Sequence, residues 1–193
     1  MMTRPDRNYL SIADVDGKII HDLRIDPSHE GHNPLDFDDI LKFSHARNVQ
    51  AQRLFVAGGR ENAIDLNRGC ENVVVENTLL EAGRQASVVI KGGCRNITLR
   101  HVAITNVTGW CDVLIGDWSD QSWEKTTEVH LLHVSRNDGQ PVRVVVGHAD
   151  WPEVMGGNVR ILRRPSYALK CYWWAKYLWV RFFRRQTPPA PHR

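Results

Sequence analysis

The sequence predicts an all-β chain, a right-handed parallel β-helix of about six rungs with a C-terminal helix. Three observations carry this. The first is a repeat: "GCENVVVENTLLEAG" from Gly69 and "GGCRNITLRHVAITN" from Gly92 place Cys70 and Cys94 24 residues apart, each followed by a charged residue, Asn and a β-branched residue. The second is that all the recurring segments alternate with period two, and none has helical spacing. The third is composition, with 42% hydrophobic and 24% charged residues, which describes a chain able to build a core rather than a disordered one.

Taken in order, a shift of 24 aligns Asn48, Asn72 and Asn96, which open the strands "NVQAQ", "NVVVE" and "NITLR". The same shift aligns Leu54, Thr78 and Val102, then Val56, Leu80 and Ile104. It also aligns Ile40, Ile64 and Val88, and Lys42, Leu66 and Ile90. Later segments, "EVHLLHVS", "PVRVVVG" and "NVRILRR", continue the pattern after insertions. Each cycle holds three short β-rich segments separated by Gly, Asn or charged residues. Leucine-rich repeats need a helical segment that is missing here, so stacked strands are the solution. The expected organisation is an N-terminal segment (1–16), the solenoid (17–165), an aromatic and basic helix (166–186) and a disordered tail (187–193). Asn48, Asn72, Asn96 and Asn158 are expected to form an amide ladder at a turn. Cys70 and Cys94, one rung apart, satisfy the Cα spacing of a disulfide, but a reduced apolar stack is expected because no secretory h-region opens the chain.

These repeats resemble the pectin-lyase-like superfamily of pectate lyases, polygalacturonases and phage tailspikes. The resemblance covers most of the chain and is architectural. It implies a binding cleft on the outer face of one stacked sheet, and a phage-related origin. That sheet is expected from "DDILKF", "NAIDLN", "ASVVIK", "DVLIG" and "RVVVG", with an outward column of Leu41, Asp65, Val89, Leu114 and Val145. Such a column is too apolar for a charged polysaccharide and is expected to meet a covering segment or another protein.

Two insertions follow this sheet, "GDWSDQSWEK" and "GHADWPEVMGG". Trp118, Trp123 and Trp151 next to acids suit sugars, since an indole stacks on a sugar face while a carboxylate accepts from hydroxyls. Asp120, Lys91 and Arg143 complete the expected ligand-binding set. Glycoside hydrolysis would need two carboxylates at a set separation, for which Asp65, Asp112, Asp117 and Asp150 are the candidates. A lyase would need a base such as Lys91, Arg143 or His148. Gly147-His148-Ala149 is similar to the Gly-His-Gly of polygalacturonases, but the accompanying acids and Arg-x-Lys of that family are missing. The sequence reading is therefore a non-catalytic binding or structural module for glycans or assembly, with a small hydrolase or lyase as the alternative. No C-x-x-C and no His pair at metal spacing occurs, so neither metal nor cofactor is expected.

Charge divides unevenly along the chain. Up to Glu153 there are 16 Lys/Arg against 22 acids, whereas the remainder carries 9 Lys/Arg and no acid. The helix predicted over 166–186 is aromatic and basic, and is expected to cap the coil or form a homo-oligomer interface. A membrane surface is a weaker fit and a nucleic acid the weakest. A chain starting without a signal is expected in the cytoplasm or in a virion.

Overall fold

The computed structural model describes residues 7–81, 84–105, 109, 111–116 and 124–163. Among these, sixteen strands, β1 to β16 in chain order, form two sheets in which every pairing is parallel. Helical structure there is confined to two 3-10 turns, Pro27–Glu30 and Pro34–Asp36. The seven-stranded sheet is ordered β1 (Asn8–Ala13), β4 (Asp39–Ser44), β7 (Asn62–Asn67), β9 (Ala86–Ile90), β11 (Val113–Ile115), β14 (Val142–Val146) and β16 (Val159–Arg163). Along the nine-stranded sheet lie β2 (Ile19–His21), β5 (Arg47–Gln52), β8 (Glu71–Glu81), β10 (Arg95–Thr105), β12 (Thr127–Leu132) and β15 (Glu153–Met155). Three short strands join it from the side: β3 (Arg24–Ile25) on β6 (Phe55–Ala57), β6 on β8, and β13 (Ser135–Arg136) on β10. Strand pairing thus begins at Asn8, within the segment 1–16.

The interior follows from the period of two. Val49, Val73, Ile97 and Val129 are in register across the nine-stranded sheet, as are Ala51, Val75, Leu99 and Leu131. Opposite them, Leu41, Ile64, Val88, Val113 and Val144 line up in the seven-stranded sheet. All belong to one buried cluster, and each Val, Ile or Leu side chain in it contributes about 1.5–3 kcal/mol by leaving water.

The corners explain the asparagines. Asn48, Asn72 and Asn96 have φ of 51°, 54° and 52°, the left-handed region that asparagine tolerates better than most residues. Their amides form a ladder: Asn72 Nδ2 donates to Asn48 Oδ1 at 2.9 Å, Asn96 Nδ2 to Asn72 Oδ1 at 2.8 Å, and Asn48 Nδ2 to Asp16 Oδ1 at 2.8 Å. Asn158 does not take part. It immediately precedes β16 of the other sheet, where its carbonyl accepts from Val142 N, and Glu128 (φ 55°) occupies the corner after Asn96.

The thiols of Cys70 and Cys94 are free and buried, and donate to the carbonyls of Asn67 (3.1 Å) and Lys91 (2.9 Å). The segments 166–186 and 187–193 lie outside the described residues.

One alignment is corrected. Between β4 and β7 the interval is 23 residues, so Leu41 pairs with Ile64 and Phe43 with Leu66, while Lys42 pairs with Asp65. The 24-residue shift would have put the Lys42 ammonium into the core column and Leu41 outside. Taking one residue out of that rung puts Leu41 and Phe43 in the interior column and Lys42 on the other face.

Candidate functional site

The outer face of the seven-stranded sheet carries the densest group of candidates. Its central column, by register, is Lys42, Asp65, Val89, Leu114, Val145 and Leu162, with Lys42 where Leu41 was expected. One end is charged. Asp65 is fully buried; its Oδ2 lies 3.6 Å from Lys42 Nζ and 3.7 Å from Lys91 Nζ, and neither oxygen accepts a hydrogen bond. The pairing is therefore coulombic. Asp39, also buried, lies 3.9 Å from Lys42 Nζ and accepts from Asn62 Nδ2 at 2.8 Å. Burial, and secondarily the nearby Asp65 charge, push the Asp39 carboxyl up to about 7. The other end of the column is apolar. Ala86, Val89, Cys111, Leu114 and Val145, with Leu162 beside them, form a second buried cluster distinct from the interior. Lys42, Asp65, Val89, Leu114 and Val145 are buried, and Leu162 is half-buried.

Asp112 and Arg143 meet in a second charged group. Asp112 is fully buried, and its Oδ2 accepts from the Arg143 backbone N–H at 2.7 Å. The Arg143 guanidinium reaches Asp112 Oδ1 at 3.4 Å and donates to the carbonyl of Gly109 at 2.9 Å, while Arg136 Nη1 approaches Oδ2 at 3.4 Å. This is a structural clamp: the acid fixes the approach of the chain into β14 and pairs with two guanidinium groups, of which Arg136 is also paired with Asp138.

The loop following β14 is exposed. Gly147 N and His148 N donate to the carbonyls of Ile115 and Gly116, so His148 is seated over Gly116 at the surface. Gly116 must be glycine, because φ is 70° and a Cβ would run into the His148 backbone. Asp150 pairs with Lys125, and Trp151 is half exposed. Asp117, Trp118, Asp120 and Trp123 lie outside the described residues. Of the carboxylates nominated from sequence, the structure brings Asp65 to Lys91 and Asp112 to Arg143, and leaves Asp150 near His148 and Trp151.

Asp39, Lys42 and Arg136 were missed. A lysine at an alternating position within "DDILKFS", with acids at Asp39 and Asp65, was the available signal for the first two. Arg136 reaches Asp112 from β13, and no sequence spacing announces that. Compared with known proteins, the chain matches no family model, no curated relative and no solved structure, so its function must be argued from this geometry.

Proposed function

We propose that the chain is a right-handed parallel β-helix serving as a non-catalytic binding and structural module, with glycans or a protein partner as its ligand. The coil is supported by parallel pairing in both sheets between strands one cycle apart, joined by connections that pass through the other sheet. The right hand follows from the general chirality of parallel crossovers. One observation carries the functional half: Asp65 and Asp112 are fully buried in ion pairs with lysine and arginine. Glycoside hydrolysis instead calls for two carboxyl groups flanking a bound sugar. What remains for a ligand is a surface with an indole at Trp151, a carboxylate at Asp150 and an imidazole at His148, which suits sugar stacking and hydroxyl recognition. The same three side chains keep the hydrolase or lyase reading as the alternative. Assembly, in this proposal, uses the aromatic and basic residues of 166–186 as a homo-oligomer contact.

The test is a panel of acidic and neutral polysaccharides assayed for new reducing ends, for unsaturated products and for binding. The expected result is binding without turnover, with affinity lost in Trp151→Ala and turnover absent in every variant. Turnover by the wild type that disappears in Asp150→Ala or His148→Ala would establish the enzyme instead.

A further inference from the structure

A corner of the nine-stranded sheet holds a cluster outside the site just described. Residues that follow Gln52, Glu76, Arg100 and Leu132, which are in register, stack in one column: Arg53, Asn77, His101 and His133. All four are left-handed, with φ between 49° and 54°. Most polar groups at the corners are satisfied by opposite charge or by amides. Asp22 holds Arg53 through two bonds of 2.6 and 2.8 Å, and His21, His45 and His130 each contact a carboxylate, at 2.7, 3.5 and 2.8 Å. His101 and His133 differ. They face each other, rings parallel within 2° and centroids 4.9 Å apart, and both are exposed. Neither ring hydrogen-bonds or ion-pairs with a described residue. The next residue in the column is Gly156, where a Cβ would collide with Nδ1 and Cε1 of His133. A glycine there keeps the edge of that ring clear.

Two adjacent imidazoles repel once both are protonated, and neutral imidazole is the commonest metal ligand among side chains. We propose that His101 and His133 form a surface site for a divalent transition-metal cation of the copper and zinc class. Metal–nitrogen bonds of ~2.0–2.1 Å span two nitrogens at most ~4 Å apart. The stacked rings, with centroids 4.9 Å apart, hold their in-plane nitrogen lone pairs parallel, so binding requires both exposed side chains to rotate out of the stack and converge on the metal. Ligand preference predicts Cu²⁺ to bind more tightly than Zn²⁺. The separation of 32 positions between the two histidines hides the pair from any search for close His spacing. The inference is independent of glycan binding.

Full-length protein is titrated with Cu²⁺, and separately with Zn²⁺, by calorimetry, and the Cu²⁺ form is examined by electron paramagnetic resonance. His101→Asn, His133→Asn and the double variant are compared with it. Asparagine suits the test because Asn77 already adopts this corner conformation, and circular dichroism checks that each variant is folded. The expected result is two-nitrogen coupling in the wild type, at least a tenfold loss of Cu²⁺ affinity in each single variant, and little further loss in the double variant. Equal affinity in wild type and double variant, or a single substitution without effect, would assign the pair to ring stacking alone and overturn the site.

Discussion

Asp39 gives the sharpest test of the buried charge cluster. Its carboxyl is pushed up to about 7 from an ordinary 3.8, first by burial and then by the Asp65 charge. Between those two values the folded chain holds a proton that the unfolded chain has released, so stability falls as pH rises from about 4 to about 7 and then levels. At 1.36 kcal/mol per pH unit the loss from this group is on the order of 4 kcal/mol. Asp39→Asn removes the ionisation and keeps an oxygen to accept from Asn62 Nδ2, a bond of 2.8 Å in the native chain. The variant should match the wild type near pH 4 and exceed it by a few kcal/mol at pH 8. Urea unfolding followed by circular dichroism at pH 4.5, 6 and 8 measures this as a difference in midpoint. An Asn variant less stable than the wild type at pH 8 would refute the reasoning, because the attraction of Lys42 and Lys91 would then outweigh desolvation.

Three further outcomes follow from the same geometry. Asn72→Ala breaks two rungs of the amide ladder and places alanine at φ 54°; about 2–3 kcal/mol should be lost in thermal or urea melts, and Asn72→Gly should recover about 1 of it. Removing the acid in Asp112→Ala leaves the Arg143 backbone N–H without its acceptor and takes the carboxylate away from the Arg143 and Arg136 guanidinium groups, which keep Gly109 O and Asp138 respectively; this should cost about 2–3 kcal/mol, with Asp112→Asn intermediate between variant and wild type in the same melts. In a chain carrying Cys111→Ser and Cys171→Ser, the buried thiols of Cys70 and Cys94 should react with a thiol reagent only on unfolding; reaction of the folded chain at the rate of free cysteine would contradict their burial.

The parallel stacking of strands was legible in the sequence because its signal is local and repeated. Asn48, Asn72 and Asn96 keep one interval since each must occupy a left-handed corner directly above the last, and the apolar columns of β5, β8 and β10 inherit that interval. Asn158 shares the residue type and a following β-rich segment but belongs to the other sheet. Sequence identity at a turn does not say which corner the turn makes. Only the ladder of hydrogen bonds does.

The site was less legible because a parallel strand tolerates no error of register. Between β4 and β7 the chain drops one residue, and that single change exchanges Leu41 for Lys42 on the outer face. An outer column read as apolar with one acid becomes an acid flanked by two lysines beside an apolar cluster. Asp65 is the centre of a buried ion cluster, whose desolvation shows in the carboxyl of Asp39. Such a cluster gains little net stability over apolar packing. It does penalise any shift of β4 along β7, because a slip by one would drive Lys42 into the core opposite Ile64 or Leu66. The charges of this face therefore fix the register that the repeat leaves open by one residue.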